Sequence, residues 1–191
     1  MKKLLFSLVF LFSFTFLYSQ EKVYPFFFKD VIRTEGMNKG QIHSLLKRWF
    51  ATDWIFSGKE LVYDNDSTEM SARLSHYVDI TDEDYEFAKG HVDFIVDIYI
   101  MDNKIVLLFH DFTHKPQNEI LGSKLTVNLV YEEIPTDLKQ LPFPVFLSYE
   151  RYKYLNYLVK MESMNSISTY LYHLDNFLLY NEKYRKEILQ N

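Results

Sequence analysis

The residues of this 191-residue chain best placed to do chemistry lie in one short stretch: His91, Asp93, Asp97, His110 and His114. The segments His91–Met101 and Lys104–Thr113 alternate apolar and polar residues. They are joined by Asp102-Asn103, a two-residue turn whose residues tolerate positive φ. A turn of that length sets position 101 opposite 104. His91 is then expected to face His114, Asp93 to face Phe112, Ile95 to face His110, and Asp97 to face Leu108. Side chains alternate along a strand, so His91, Asp93, Asp97, His110 and His114 share one face. Val92, Phe94, Val96, Ile98, Ile100, Ile105, Leu107 and Phe109 fall on the other, which reads as the core. Cross-strand Cβ atoms lie about 4.5–5.5 Å apart, close enough for His91 and His114 to reach one ion. Histidines with a carboxylate are the ligands that zinc and similar divalent metals favour. The expected metal ligands are thus His91, Asp93, His110 and His114, and a divalent metal is the one cofactor the sequence offers a place for. The same pattern also describes the polar side of a half-exposed sheet, and a slip of one residue would send His110 and His114 to the opposite face.

Other chemistry finds little support. Ser44, Ser57 and Ser123 lack the Gly-x-Ser-x-Gly frame of a nucleophile elbow. No glycine-rich phosphate loop and no His-Glu-x-x-His is present. Asp82-Glu83-Asp84 is acidic enough to resemble a calcium loop, but lacks the central glycine and the distant bidentate Glu of an EF-hand. Glu132-Glu133 reads as a solvated loop end. His43, beside an apolar helix stripe, reads as structural, and His173 as the edge of a buried face. No catalytic motif of any specificity emerges; a non-catalytic binding or interaction module is expected, with a metal-dependent enzyme or metal-binding protein using the histidine cluster as the alternative.

These residues need a frame. Phe26–Thr34 reads as a first strand with Phe26, Phe28 and Ile32 inward. Asn38, with Gln41 three residues on, forms the signature of a capping box. Ile42, Leu45, Leu46, Trp49 and Phe50 then make one helical stripe ending near Thr52. Lys59–Asp64 is a short strand, and Asp64-Asn65-Asp66-Ser67 a turn. Met70–Ile80 alternates, with Ala72, Leu74, His76 and Val78 on one side. After the hairpin, Lys124–Glu132 reads as a last strand, with Leu125, Val127, Leu129 and Tyr131 on one face. Phe146–Met161 and Asn165–Leu189 read as two helices. Their tyrosines, among them Tyr154, Tyr157, Tyr170, Tyr172, Tyr180 and Tyr184, would either form an aromatic surface or pack on the sheet. The order predicts an α+β domain: an antiparallel sheet of about five to six strands, one early helix, and C-terminal helices on one face.

The run Val31-Ile32-Arg33-Thr34-Glu35-Gly36-Met37-Asn38-Lys39-Gly40-Gln41, then Leu45, Lys47, Trp49 and Phe50, resembles the opening of an exported bacterial family, domain-of-unknown-function family 4468. Phe109-His110-Asp111-Phe112-Thr113-His114 stands where that family carries a Phe-x-Asp-Phe-Thr-like strand end. The resemblance spans roughly residues 24–116. It departs at Met70-Ser71-Ala72-Arg73-Leu74-Ser75, where the family has a glycine-rich strand. It implies a TBP-like fold of a helix, an antiparallel sheet and a C-terminal helix, and it implies no activity.

Residues 1–19 read as a secretory signal peptide. Lys2 and Lys3 precede an apolar run, Leu4–Tyr18, that is shorter than the roughly 20 residues of a membrane span. Cleavage is expected before Gln20, leaving one α+β domain over 20–191, with the family-like core at 24–116 and a helical region at 136–191. Loss of the two lysines takes the formal net charge from −5 to −7. An acidic chain of this kind is not expected to bind nucleic acid or to dock on an anionic membrane. The expected partner is a protein or a small molecule, in the periplasm or outside the cell. With no cysteine, neither a disulfide nor an N-terminal lipid-modified cysteine is available.

Overall fold

The computed structural model describes residues 23–52, 60–65, 67–117, 127–142 and 144–180. The signal-peptide reading, Leu125 and Tyr184 lie outside them. Five antiparallel strands form one open sheet: β1 (Phe28–Arg33), β2 (Glu60–Asn65), β3 (Glu69–Val78), β4 (Gly90–Met101) and β5 (Lys104–Pro116), in the order β1-β5-β4-β3-β2. Helix α1 (Lys39–Ala51) follows β1, a 3-10 segment (Glu83–Ala88) links β3 to β4, and α2 (Tyr149–Tyr180) closes the described chain. The fold is α+β, with the helices on one face of the sheet.

Local chemistry accounts for these elements. Asn38 caps α1 with both capping-box bonds, Gln41 N–H to Asn38 Oδ1 and Asn38 N–H to Gln41 Oε1, each at 3.0 Å. Ile42, Leu45, Leu46 and Trp49 are buried by that helix. Ala72, Leu74, His76 and Val78 of β3 all face the core, as alternation requires. In the hairpin turn only Asn103 takes a positive φ, 64°. Its side chain accepts the Gly36 N–H, and that of Asp102 accepts the Lys39 N–H, both at 3.0 Å, so the turn also holds the start of α1.

Two expectations are corrected. The C-terminal region is not two helices in the described residues: α2 runs unbroken from Tyr149 to Tyr180. Ser163, in the gap between the two expected helices, donates its hydroxyl to the Val159 carbonyl within the helix, at 2.8 Å. The strand expected at Lys124–Glu132 is not a ladder either. Its described part makes two isolated bridges, Thr113 with Leu129 and Pro25 with Tyr131. Asn128 has φ 54°, which breaks the alternation, so Val127, Val130 and Tyr131 are buried while Leu129 is only partly so. Helix α2 supplies what a neighbouring strand would. Asn156 accepts from Tyr131 N–H and donates to Tyr131 C=O, both at 3.0 Å, and the Tyr152 hydroxyl donates to the Val127 carbonyl at 3.0 Å.

Candidate functional site

The expected hairpin register holds from Met101–Lys104 to Ile95–His110 and then changes. Asp93 pairs with Thr113, not Phe112, and Val92 pairs with His114. Asp111 and Phe112 together oppose Phe94, an arrangement that defines a β-bulge. Asp111 sits at φ 57°. The extra residue turns the end of β5 over, so that Phe112 and His114 join the core at 0% and 1% exposure.

This overturns the expected pairing of His91 with His114. His91, Asp93 and His110 lie on the open face, whereas His114 lies on the helix side. Among the described residues, no group of three or more His, Asp or Glu is placed to hold a metal ion. His91 instead packs edge-on to Tyr77, ring centres 5.3 Å apart. Asp93 pairs with the Lys115 ammonium. Burial alone would raise its pKa, but Lys115 and the Ser75 hydroxyl outweigh that and hold it low.

A different cluster forms around His110. Its Nε2 lies 2.9 Å from Asp97 Oδ2, and its Nδ1 lies 3.2 Å from Asp111 Oδ2. The Ser71 hydroxyl donates to Asp97 Oδ1 at 2.7 Å. The order matters chemically. Serine and histidine both address the carboxylate, so the histidine is not placed to take the serine proton, as nucleophilic catalysis would need. The cluster ties β3, β4 and β5 together across the open face. Sequence reading missed Ser71 because only the β3–β4 register, Ser71 opposite Asp97, brings it there.

On the helix side, His76 and His114 flank Val92 across three strands. Desolvation pushes both rings down to about 4. Nearby His91 and His114 add to this for His76, with Asp93 opposing, while the Ala88 carbonyl opposes it for His114. His43 has the structural role expected of it: its Nε2 lies 2.5 Å from Asp64 Oδ1, and Lys47 lies 3.2 Å from the other oxygen, fastening α1 to β2. The His43 bond is the main cause of the lowered pKa of Asp64. Of the C-terminal tyrosines, Tyr170 is buried, while Tyr154, Tyr157 and Tyr172 are exposed.

No protein-family model matches the chain, and no curated protein matches it. Three solved structures are similar. One is a TBP-like protein from Parabacteroides distasonis ATCC 8503, at 12% identity and TM-score 0.49, covering 83% of this chain and 97% of that one. Another is a DUF4468 family protein from Bacteroides ovatus ATCC 8483, at 12% identity and TM-score 0.39, covering 78% and 88%. The third is the Zhui aromatase/cyclase from Streptomyces sp. R1128, at 10% identity and TM-score 0.36, covering 84% and 99%. The first two carry the two names to which the sequence resemblance points. With every TM-score below 0.5, no activity, ligand or partner passes from them to this chain.

Proposed function

We propose that this chain is an exported, non-catalytic binding module. One observation carries the reading: among the described residues, the sheet is covered on a single face. The other face presents Val31, Tyr63, Tyr77, Tyr99 and Met101 at 36–48% exposure around the Ser71–Asp97–His110 cluster. Tyrosine brings a large contact area with a polar tip, which suits recognition. The competing reading is the metal-dependent protein expected from the histidines, for which the described residues bring no three ligands together. Elemental analysis and Zn²⁺ calorimetry on the purified protein separate the two. The binding-module reading expects no bound metal and no heat at micromolar Zn²⁺. A heat that disappears in a His91→Ala, His110→Ala variant would replace it. Export itself is checked by N-terminal sequencing of protein recovered from the cell envelope, with Gln20 expected as the first residue.

A further inference from the structure

Strand β1 is an edge of the sheet. Its partner β5 uses the main-chain groups of alternate residues only. Thr34 N–H donates to Asn103 C=O at 2.8 Å, which sets the phase: Ile32, Asp30 and Phe28 direct their backbones toward β5, and Lys29, Val31 and Arg33 direct theirs outward. The Val31 N–H confirms it, for it is taken by the Asp30 carboxylate at 2.8 Å rather than by β5. Beside this edge runs a groove of ≈370 Å³ between β1 and the C-terminal half of α2, lined by Asp30, Ile32, Leu171, Tyr172, Asp175 and Leu179 among others. An outward-facing strand edge beside a helix-walled groove has the geometry that captures an extended peptide as an added strand.

The charges on β1 select the occupant. Lys29, Val31 and Arg33 project from the open face, with Val31 46% exposed. A second copy pairing antiparallel about Val31 would set Lys29 against Arg33, and like charges directly opposed are destabilising. The complementary strand instead carries an acid opposite each cation and an apolar residue opposite Val31. Its two intervening side chains point to the groove side. One lies opposite the buried Ile32 and should be apolar. The other lies opposite Asp30, in a groove that also carries Asp175, and should be basic.

We propose that the β1 edge binds an extended acidic–apolar–apolar–basic–acidic peptide segment as a sixth strand, running antiparallel to Phe28–Arg33. This rests on the reading of the chain as a binding module and names its partner class. The test is fluorescence anisotropy with a labelled Gly-Glu-Ile-Val-Lys-Glu-Gly peptide and its charge-inverted counterpart, Gly-Lys-Ile-Val-Glu-Lys-Gly. The first is expected to bind at least tenfold more tightly at low salt. A Lys29→Glu, Arg33→Glu double variant is expected to invert that preference. Val31→Pro removes the outward N–H that the Asp30 carboxylate must release to an added strand, at an edge position where proline is tolerated, and is expected to abolish binding while the melting transition remains cooperative. Equal binding of both peptides, no binding at millimolar concentration, or a preference unchanged in the double variant overturns the proposal. So does a dimer, seen by sedimentation, that Val31→Pro dissolves. None of those outcomes yields bound metal, so they leave the binding-module reading standing on its own test.

Discussion

His114 Nε2 lies 2.8 Å from the carbonyl oxygen of Ala88. A strand that was expected to turn this histidine outward instead uses it to fasten the 3-10 segment Glu83–Ala88 against the core. The ring must carry its proton on Nε2 to donate there. His76, on the far side of Val92, has neither ring nitrogen hydrogen-bonded.

Acid should unfold this protein in a defined window. Both rings titrate near 4 in the fold, against an ordinary value of 6.5. The fold therefore favours the neutral forms, and their contribution is fully present above pH 6.5 and lost as the pH falls from 6.5 toward 4. The loss is on the order of 3 kcal/mol per histidine. Urea denaturation at pH 7, 5.5 and 4.5 should show it. His76→Leu should flatten the slope by about half. It should also raise stability at pH 7 by roughly 1–3 kcal/mol, since it removes buried polar atoms that lack partners.

The bulge makes Asp111 a position with a conformational requirement. At φ 57°, Asp111→Gly should be neutral or gain up to about 1 kcal/mol, whereas Asp111→Ile should lose about 1–2 kcal/mol. Deleting residue 111 has a different outcome. It would remove the extra residue and set Phe112 directly opposite Phe94 with His114 still opposite Val92, so both stay in the core of an unbulged ladder and the variant should remain soluble. Thermal melting and soluble yield distinguish the three.

Asn156 is expected to be costly to replace. It serves both main-chain groups of Tyr131 from inside the core. Asn156→Leu removes both of these hydrogen bonds to the Tyr131 main chain inside the core, at about 1–3 kcal/mol each. Asn156→Asp keeps the acceptor but buries a carboxylate against the Tyr131 carbonyl, so it should lose at least as much near neutral pH and less in acid, where its O–H can donate to that carbonyl. Chemical denaturation of the two variants checks the order.

Two glycines should respond oppositely to alanine. A Cβ on Gly90 would meet the Lys115 carbonyl oxygen at 2.2 Å and Pro116 Cα at 2.6 Å, both main-chain atoms, so Gly90→Ala should cost several degrees of Tm at least. A Cβ on Gly40 meets only Asn38 Oδ1 at 3.5 Å, in the first turn of α1. Gly40→Ala should stabilise by about 0.5 kcal/mol.

The sequence made some of these features readable. The capping box at Asn38 and Gln41, the Asp102-Asn103 turn and the alternation of β3 and β4 depend on neighbours a few residues away. Each stands where local chemistry puts it. The site depended on one distant fact, the bulge, and there the reading failed. The warning was present in the residues. Straight alternation after Phe109 would bury the Asp111 carboxylate and expose Phe112, two violations in succession that one extra residue removes. The segment around Asn128 and the unbroken α2 were not readable in this way. Asn156, Tyr152 and Ser163 look like ordinary polar interruptions until their partners at Tyr131, Val127 and Val159 are in place.

The position of α2 also sets when the chain can fold. It brings Tyr152, Leu155, Val159, Ile167, Tyr170, Leu174, Phe177 and Leu178 to the core, all from the last stretch of the described sequence. A ribosome delivers those residues after every strand of the sheet. Until they emerge, the described residues cover the apolar face of the sheet only with α1 and short segments around it. Completion of the core thus waits until α2 has left the ribosome, and until then the nascent sheet keeps its apolar face open to chaperones.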